Sequence, residues 1–118
     1  MKALLSLAPG GPETLVLQDV PEPEPGPGEV RLKVAAVGVN YPDSLIIEDR
    51  YQFKPARPFA PGAEASGTID RLGEGVSGLA IGDRVLASTG WGGMGFLRTT
   101  ASADGARGKP RPQPTTRV

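Results

Sequence analysis

The alternation of hydrophobic and polar positions predicts several short β-strands within the first 95 residues. Val30, Leu32 and Val34 alternate with charged or small residues, and the apolar character continues to Val39. A period of two residues is typical of a strand with one buried and one solvated face. Four further apolar segments, separated by Gly- and Pro-rich turns, are also predicted as strands: 1–8, 15–20, 65–72 and 84–88.

One short helix is predicted to begin at Asn40. Its side-chain oxygen can accept hydrogen bonds from the first-turn N–H groups, Pro42 is tolerated there, and Asp43 suits the helix dipole. Residues 53–61 carry three prolines and are predicted as a loop. Five or more short strands with one small helix favour a compact barrel or sandwich.

The chain changes character after Leu97. Residues 98–118 hold five basic groups and one acidic group, whereas residues 1–97 hold 8 basic and 12 acidic groups. Alternate prolines in 109–114 prevent a helix, and few apolar side chains remain to offset the entropy cost of ordering. We therefore predict a folded domain over 1–97 and a disordered, Pro-rich, basic tail over 98–118.

Composition narrows the class of protein. The 118 residues suffice for one small domain, and 17 Gly with 13 Pro favour turns over long helices. With no Cys and no His, the chain has no disulfide, thiolate nucleophile, Ser-His-Asp triad or usual zinc ligand set. The formal net charge is zero, and no apolar segment reaches the ~18 residues of a membrane span. We expect a cytosolic protein without nucleic-acid or membrane partners.

A glycine-rich segment, Gly73–Gly78, fits the letters of the G-x-G-x-x-G dinucleotide fingerprint. That mechanism requires a helix N-terminus directly after the glycines, where N–H groups bind the pyrophosphate. Here Gly82 and Asp83 follow within five residues and favour a turn. We therefore interpret the segment as a connection between strands.

Taken singly, the candidate site residues have ordinary structural explanations. Asn40, Tyr41 and Tyr51, around the short helix, are more typical of caps and half-buried rim residues than of ligand contacts. Glu64 alone is typical of a solvated surface carboxylate. Trp91, between glycines, can close the end of the core.

Combined in order, the motifs are more specific. They are Val39-Asn40-x-Pro42-Asp43, Tyr51, Pro61-Gly-x-Glu-x-x-Gly67, Gly73-x-Gly75 and Gly82-Asp-Arg-Val85. This order strongly resembles the N-terminal, GroES-like domain of medium-chain dehydrogenase/reductases, and within that superfamily the zinc-independent NADPH:quinone oxidoreductases. The resemblance covers residues 1–95 and implies a mainly β fold, a GroES-like partly open β-barrel with one short helix.

The resemblance also implies that zinc is absent. Zinc-dependent alcohol dehydrogenases of the superfamily have Cys where Asn40 stands and His where Ala63 stands, with Glu at the position of Glu64. Asn40 and Ala63 supply neither a thiolate nor an imidazole, so we expect no catalytic zinc.

In quinone reductases, Asn and Tyr at the positions of Asn40 and Tyr51 face the nicotinamide and the substrate cleft. The resemblance therefore implies that Asn40 and Tyr51 are catalytic, and that Asn40, Tyr41 and Tyr51 contact NADPH. Such enzymes often carry a second Tyr five residues after the Asn. Leu45 stands there, which implies an altered quinone or enone pocket.

The expected function is that of one part of an NADPH-dependent quinone or enone oxidoreductase. Only 23 residues follow Gly95, whereas the family continues into the rest of its barrel and a Rossmann domain that holds most NADPH contacts. We therefore expect a truncated chain that is inactive alone, and leave a homodimer open. The alternative is a stand-alone GroES-like binding or assembly module without catalysis.

Overall fold

The computed structural model describes residues 1–95, 98–102 and 106–107. Within these residues it contains seven strands, one α-helix and a short 3-10 helix at Pro12–Thr14. The elements are β1 (Lys2–Leu5), β2 (Val16–Asp19), β3 (Glu29–Gly38), α1 (Tyr41–Ile47), β4 (Glu64–Leu72), β5 (Arg84–Ser88), β6 (Arg98–Ser102) and β7 (Ala106–Arg107).

The strands form two antiparallel sheets. β1 pairs with β2, and a five-stranded sheet has the order β6-β3-β4-β5-β7. Neither sheet closes on itself, and a bridge from Ser6 to Phe59 connects the end of β1 to the loop before β4. This architecture confirms the predicted fold class, which is mainly β and partly open with one short helix.

The core lies on one face of the five-stranded sheet. Val30 and Leu32 of β3 are fully buried, and Leu32 lies opposite Ile69 of β4 in the antiparallel register. The period-two pattern of the sequence selects these positions, because alternate side chains of a strand point to the same face. The buried cluster consists of Val30, Leu32, Ile69, Val85, Ala87 and Ala106.

Helix α1 begins where the sequence predicts. Asn40 is its N-cap, and the Asp43 carboxylate accepts the Asn40 backbone N–H at 2.8 Å, as in a capping box. The helix buries Ile46 and Ile47 against Phe59, which forms a second, smaller cluster. In the part of the chain that the structure describes, no helix has the length and apolar character needed to cross a bilayer.

The predicted tail requires a correction. Residues 98–102 form β6 and pair with β3, and residues 106–107 form β7 and pair with β5. The prediction of disorder is wrong for these seven residues, because an exposed sheet edge offers unpaired N–H and C=O groups that a polar segment can satisfy. Residues 103–105 and 108–118 lie outside the described residues, and the predicted division into domain and tail stays a prediction there.

Arg31 also departs from its expected place on a solvated strand face, since it is only 8% exposed. Its guanidinium donates to Asp70 of β4 at 2.8 Å and to Glu24 at 3.2 Å, and lies 3.7 Å from Glu22. The two glutamates belong to the Pro-rich connector 21–28, which these ion pairs hold against the sheet. The hydrogen bond to Asp70 raises the pKa of Arg31 above its usual value, because it stabilises the charged form of the guanidinium.

Replacing Arg31 with Met is expected to lower the free energy of unfolding by about 2–3 kcal/mol, because it removes the cation facing three carboxylates. Urea denaturation measures the effect. Lys2→Met is the matched control, because its ion pair with Asp19 is exposed on both sides and should matter much less. Equal losses from the two variants would contradict a special role for the buried guanidinium.

Candidate functional site

The predicted residue Asn40 lies at the junction of β3 and α1. Its backbone is fixed by the bond to Asp43, and its exposed side chain donates from Nδ2 to Glu64 Oε1 at 3.0 Å. Glu64 is the first residue of β4, so the bond connects the start of the helix to the central sheet. The backbone of Asn40 is therefore fixed, and its side-chain amide is exposed to solvent.

Sequence reasoning missed Glu64 as the partner of Asn40. Glu64 lies opposite Gly38 in the register of β3 and β4, and a Cβ at Gly38 would come within 2.0 Å of Glu64 Oε1. Because Gly38 has no side chain, the Glu64 carboxylate can occupy this space and accept the hydrogen bond from Asn40. The sequence shows that Gly38 and Asn40 lie close together just before the helix. It does not show that Glu64 is their neighbour, because that depends on the register between β3 and β4.

A cavity of about 830 Å³ opens beside this pair. Its walls come from the ends of β3 and β5 and the beginning of β4, and consist mostly of small apolar side chains with Glu64 as the charged member. The lining residues are Ala36, Val37, Gly38, Ala63, Glu64, Ala65, Ser66, Leu86, Ala87 and Ser88. Of the described residues predicted for the site, Asn40 reaches this cavity through its bond to Glu64.

The second predicted catalytic residue, Tyr51, has different neighbours. It lies in the loop after α1 and packs against the cluster of Ile46, Ile47 and Phe59. The rings of Tyr51 and Phe53 meet edge to face with centroids 5.0 Å apart, and Phe53 lies 5.5 Å from Trp91. The three side chains form an aromatic row, of which Trp91 is 44% exposed.

Tyr41 is the first residue of α1 and is 76% exposed. The helix begins beside the Asn40–Glu64 pair, so Tyr41 follows Asn40 directly at the same end of α1. The structure thus brings Asn40, Tyr41 and Glu64 together, whereas Tyr51 belongs to the aromatic row.

The fit to a dinucleotide is partial. After Gly78 the chain turns at Gly82 and enters β5, and no helix occurs between residues 73 and 84, as the sequence predicts. The segment therefore lacks the helix N-terminus that binds a pyrophosphate. Asn40 and Tyr41 instead present exposed side chains that can donate hydrogen bonds.

Metal ligands are also scarce here. Over residues 1–95 and the described parts of 98–107, no group of three or more His, Cys, Asp or Glu side chains is placed to hold a metal ion. The carboxylate of Glu64 is hydrogen-bonded to Asn40. The expectation that the site contains no catalytic zinc therefore stays a prediction.

Comparison with known proteins identifies the domain. Residues 26–107 match the family described as alcohol dehydrogenase GroES-like domain. The chain belongs to this family. The chain is 41% identical over 105 residues to the quinone oxidoreductase of Rattus norvegicus, and the alignment covers 88% of this chain and 32% of the relative.

Solved structures agree with the assignment of the GroES-like domain. A probable oxidoreductase from Mycobacterium abscessus superimposes with a TM-score of 0.82 at 39% identity, covering 91% of this chain and 34% of that one. The Escherichia coli quinone oxidoreductase complexed with NADPH gives a TM-score of 0.83 at 28% identity, covering 91% and 32%. The chain therefore spans about a third of the length of the relatives it matches.

Proposed function

We propose that this GroES-like domain is the N-terminal catalytic portion of a cytosolic, zinc-independent, NADPH-dependent oxidoreductase that reduces quinones or enones. The observation that carries the proposal is the exposed Asn40 amide, fixed at the start of α1 by Asp43 and Glu64 beside the cavity. Similarity to quinone oxidoreductases, one of them solved with NADPH, supports the choice of cofactor and substrate.

The cofactor supplies the hydride when bound, so the protein needs no nucleophile of its own. Its part is to position the substrate and to donate hydrogen bonds to the carbonyl oxygen as negative charge develops there. We assign the donor roles to Asn40 Nδ2 and the Tyr51 hydroxyl, which are donors of the required type, and assign a cofactor contact to Tyr41 beside Asn40. Ala63 and its neighbours provide a wall of mostly small, apolar side chains for the substrate.

The proposal assigns most of the nucleotide contacts to protein outside this domain. The described residues provide donors for the nicotinamide end, but Gly73–Gly78 leads into a turn and a strand rather than a helix. We therefore expect the 118-residue chain alone to bind NADPH weakly and to turn over slowly or not at all.

The test is a chimera in which residues 1–95 are followed by the corresponding remainder of the E. coli quinone oxidoreductase. NADPH oxidation with 1,4-benzoquinone is followed by absorbance for the chimera and for the 118-residue chain. Turnover by the chimera alone is the expected result. A folded chimera that binds NADPH but reduces neither quinones nor enones would contradict the proposal and favour the binding or assembly module.

A further inference from the structure

A half-buried arginine, Arg57, closes the loop that carries Tyr51. We define the Tyr51 loop as residues 49–57, which connects the end of α1 to the segment before β4. Arg57 Nη1 lies 2.9 Å and 3.1 Å from the two carboxylate oxygens of Asp49, so an ion pair joins the first residue of the loop to its last.

The guanidinium of Arg57 also donates hydrogen bonds to residues outside the loop. Nη2 donates to the Ile47 carbonyl at 3.0 Å, and Nε donates to Ser6 Oγ at 3.0 Å. Ser6 is fully buried, and the Arg57 guanidinium carbon lies 5.3 Å from the centroid of the Phe59 ring. One side chain thus connects the loop with the end of α1, the end of β1 and the apolar cluster behind Tyr51.

Burial distinguishes this ion pair from an ordinary surface contact. The side chains of Arg57 and Asp49 are 17% and 28% exposed, whereas those of the nearby pair Arg50 and Glu48 are 71% and 34% exposed. Less solvent competes with the Arg57 contacts, so they restrict the backbone more strongly. Asp49 also has a φ of 58°, in the left-handed region, two residues after the end of α1.

We infer that Arg57 is a positioning residue, which holds the Tyr51 loop against the domain and thereby sets the place of the Tyr51 hydroxyl. That Arg57 positions a catalytic hydroxyl rests on the proposed function. That Arg57 holds the Tyr51 loop in place rests on the contacts of Arg57 alone. Tyr51 lies between the two ends of the ion pair and packs on the same cluster that Arg57 covers through Phe59. Release of Arg57 would therefore release Tyr51 before it unfolds the sheet.

Trp91 makes this motion measurable, because it is the only tryptophan of the chain and lies 5.5 Å from Phe53 of the loop. In the 118-residue chain, Arg57→Met should raise acrylamide quenching of Trp91 about twofold, since the ring is now only 44% exposed. Asp49→Asn should give the same rise, because Asn removes the charge while tolerating a positive φ. The double variant should show no additional change.

Arg50→Met is the matched control, since it removes an arginine seven residues away that makes only an exposed ion pair. All quenching is measured well below each variant's thermal midpoint, with unchanged far-UV circular dichroism. Quenching that stays at the wild-type value in both Arg57→Met and Asp49→Asn would overturn the inference, whatever happens to the midpoints.

Kinetics of the chimera test the catalytic half. Arg57→Met should lower kcat about tenfold through misplacement of Tyr51, and should lower it no further in a Tyr51→Phe background. Additive losses, or an unchanged kcat in a chimera that Tyr51→Phe impairs, would overturn the positioning role. An inactive wild-type chimera would refute the proposed function and leave the fluorescence result as the test of the loop.

Discussion

Replacing Asn40 with Ala is expected to lower the kcat of the chimera about 100-fold, while KM for the quinone changes little. The reason is that the amide would meet the carbonyl oxygen mainly as charge develops on it, so its loss affects the transition state more than the bound substrate. The backbone of residue 40 stays fixed, because the Asp43 carboxylate accepts the main-chain N–H and not the side chain. Steady-state NADPH oxidation measures both constants.

Gln18→Ala is the matched control for this prediction. It also removes a carboxamide from an exposed residue, but on β2, which belongs to the two-stranded sheet. We expect its kcat to equal that of the unaltered chimera. Equal kcat values for Asn40→Ala and Gln18→Ala would contradict a catalytic role for Asn40.

Replacing Gly67 with Ala is expected to destabilise the domain by at least about 3 kcal/mol, the upper part of the range for overpacking. A Cβ at Gly67 would lie 2.2 Å from the Lys33 carbonyl oxygen and 3.2 Å from Val34 Cα, and all of these are backbone atoms of β3. These distances show that β3 and β4 approach closely at Gly67, next to the register shift between Val34 and Ala36. Thermal and urea denaturation measure the loss.

Gly75→Ala provides the comparison for Gly67→Ala. Gly75 has a φ of +79° and no atom within 4 Å of an added Cβ, so only the backbone preference opposes the change. We expect a cost of about 1 kcal/mol there. If Gly67→Ala were no more destabilising than Gly75→Ala, the close approach of the two strands would not limit this position.

The local elements were predictable because their signals are local. The alternation around Leu32 fixes which face of β3 is buried, and the Asn40–Asp43 spacing fixes the start of α1. Ordered motifs around these elements pointed to the family that residues 26–107 match. The strand alternation and the helix start depend on residues within ten positions of one another, whereas the family resemblance depends on the order of motifs over residues 39–85.

Contacts between distant segments were not predictable in the same way. The bond from Asn40 to Glu64 depends on a register that pairs Gly38 with Glu64, and the Arg31 guanidinium bonds Asp70 of β4, which lies 39 residues away in the chain. β6 has few apolar residues, so its sequence favours disorder until the free edge of β3 is considered. Each outcome is decided by a partner far along the chain rather than by the residues themselves.

The strand order has a consequence for the shape of the larger sheet. β6 and β7 lie at its opposite edges, yet only residues 103–105 separate them in the chain. Across a flat sheet the two outer strands would be about 19 Å apart, whereas four Cα–Cα steps reach at most about 15 Å. The five-stranded sheet must therefore curve until its two outermost strands, β6 and β7, come close together.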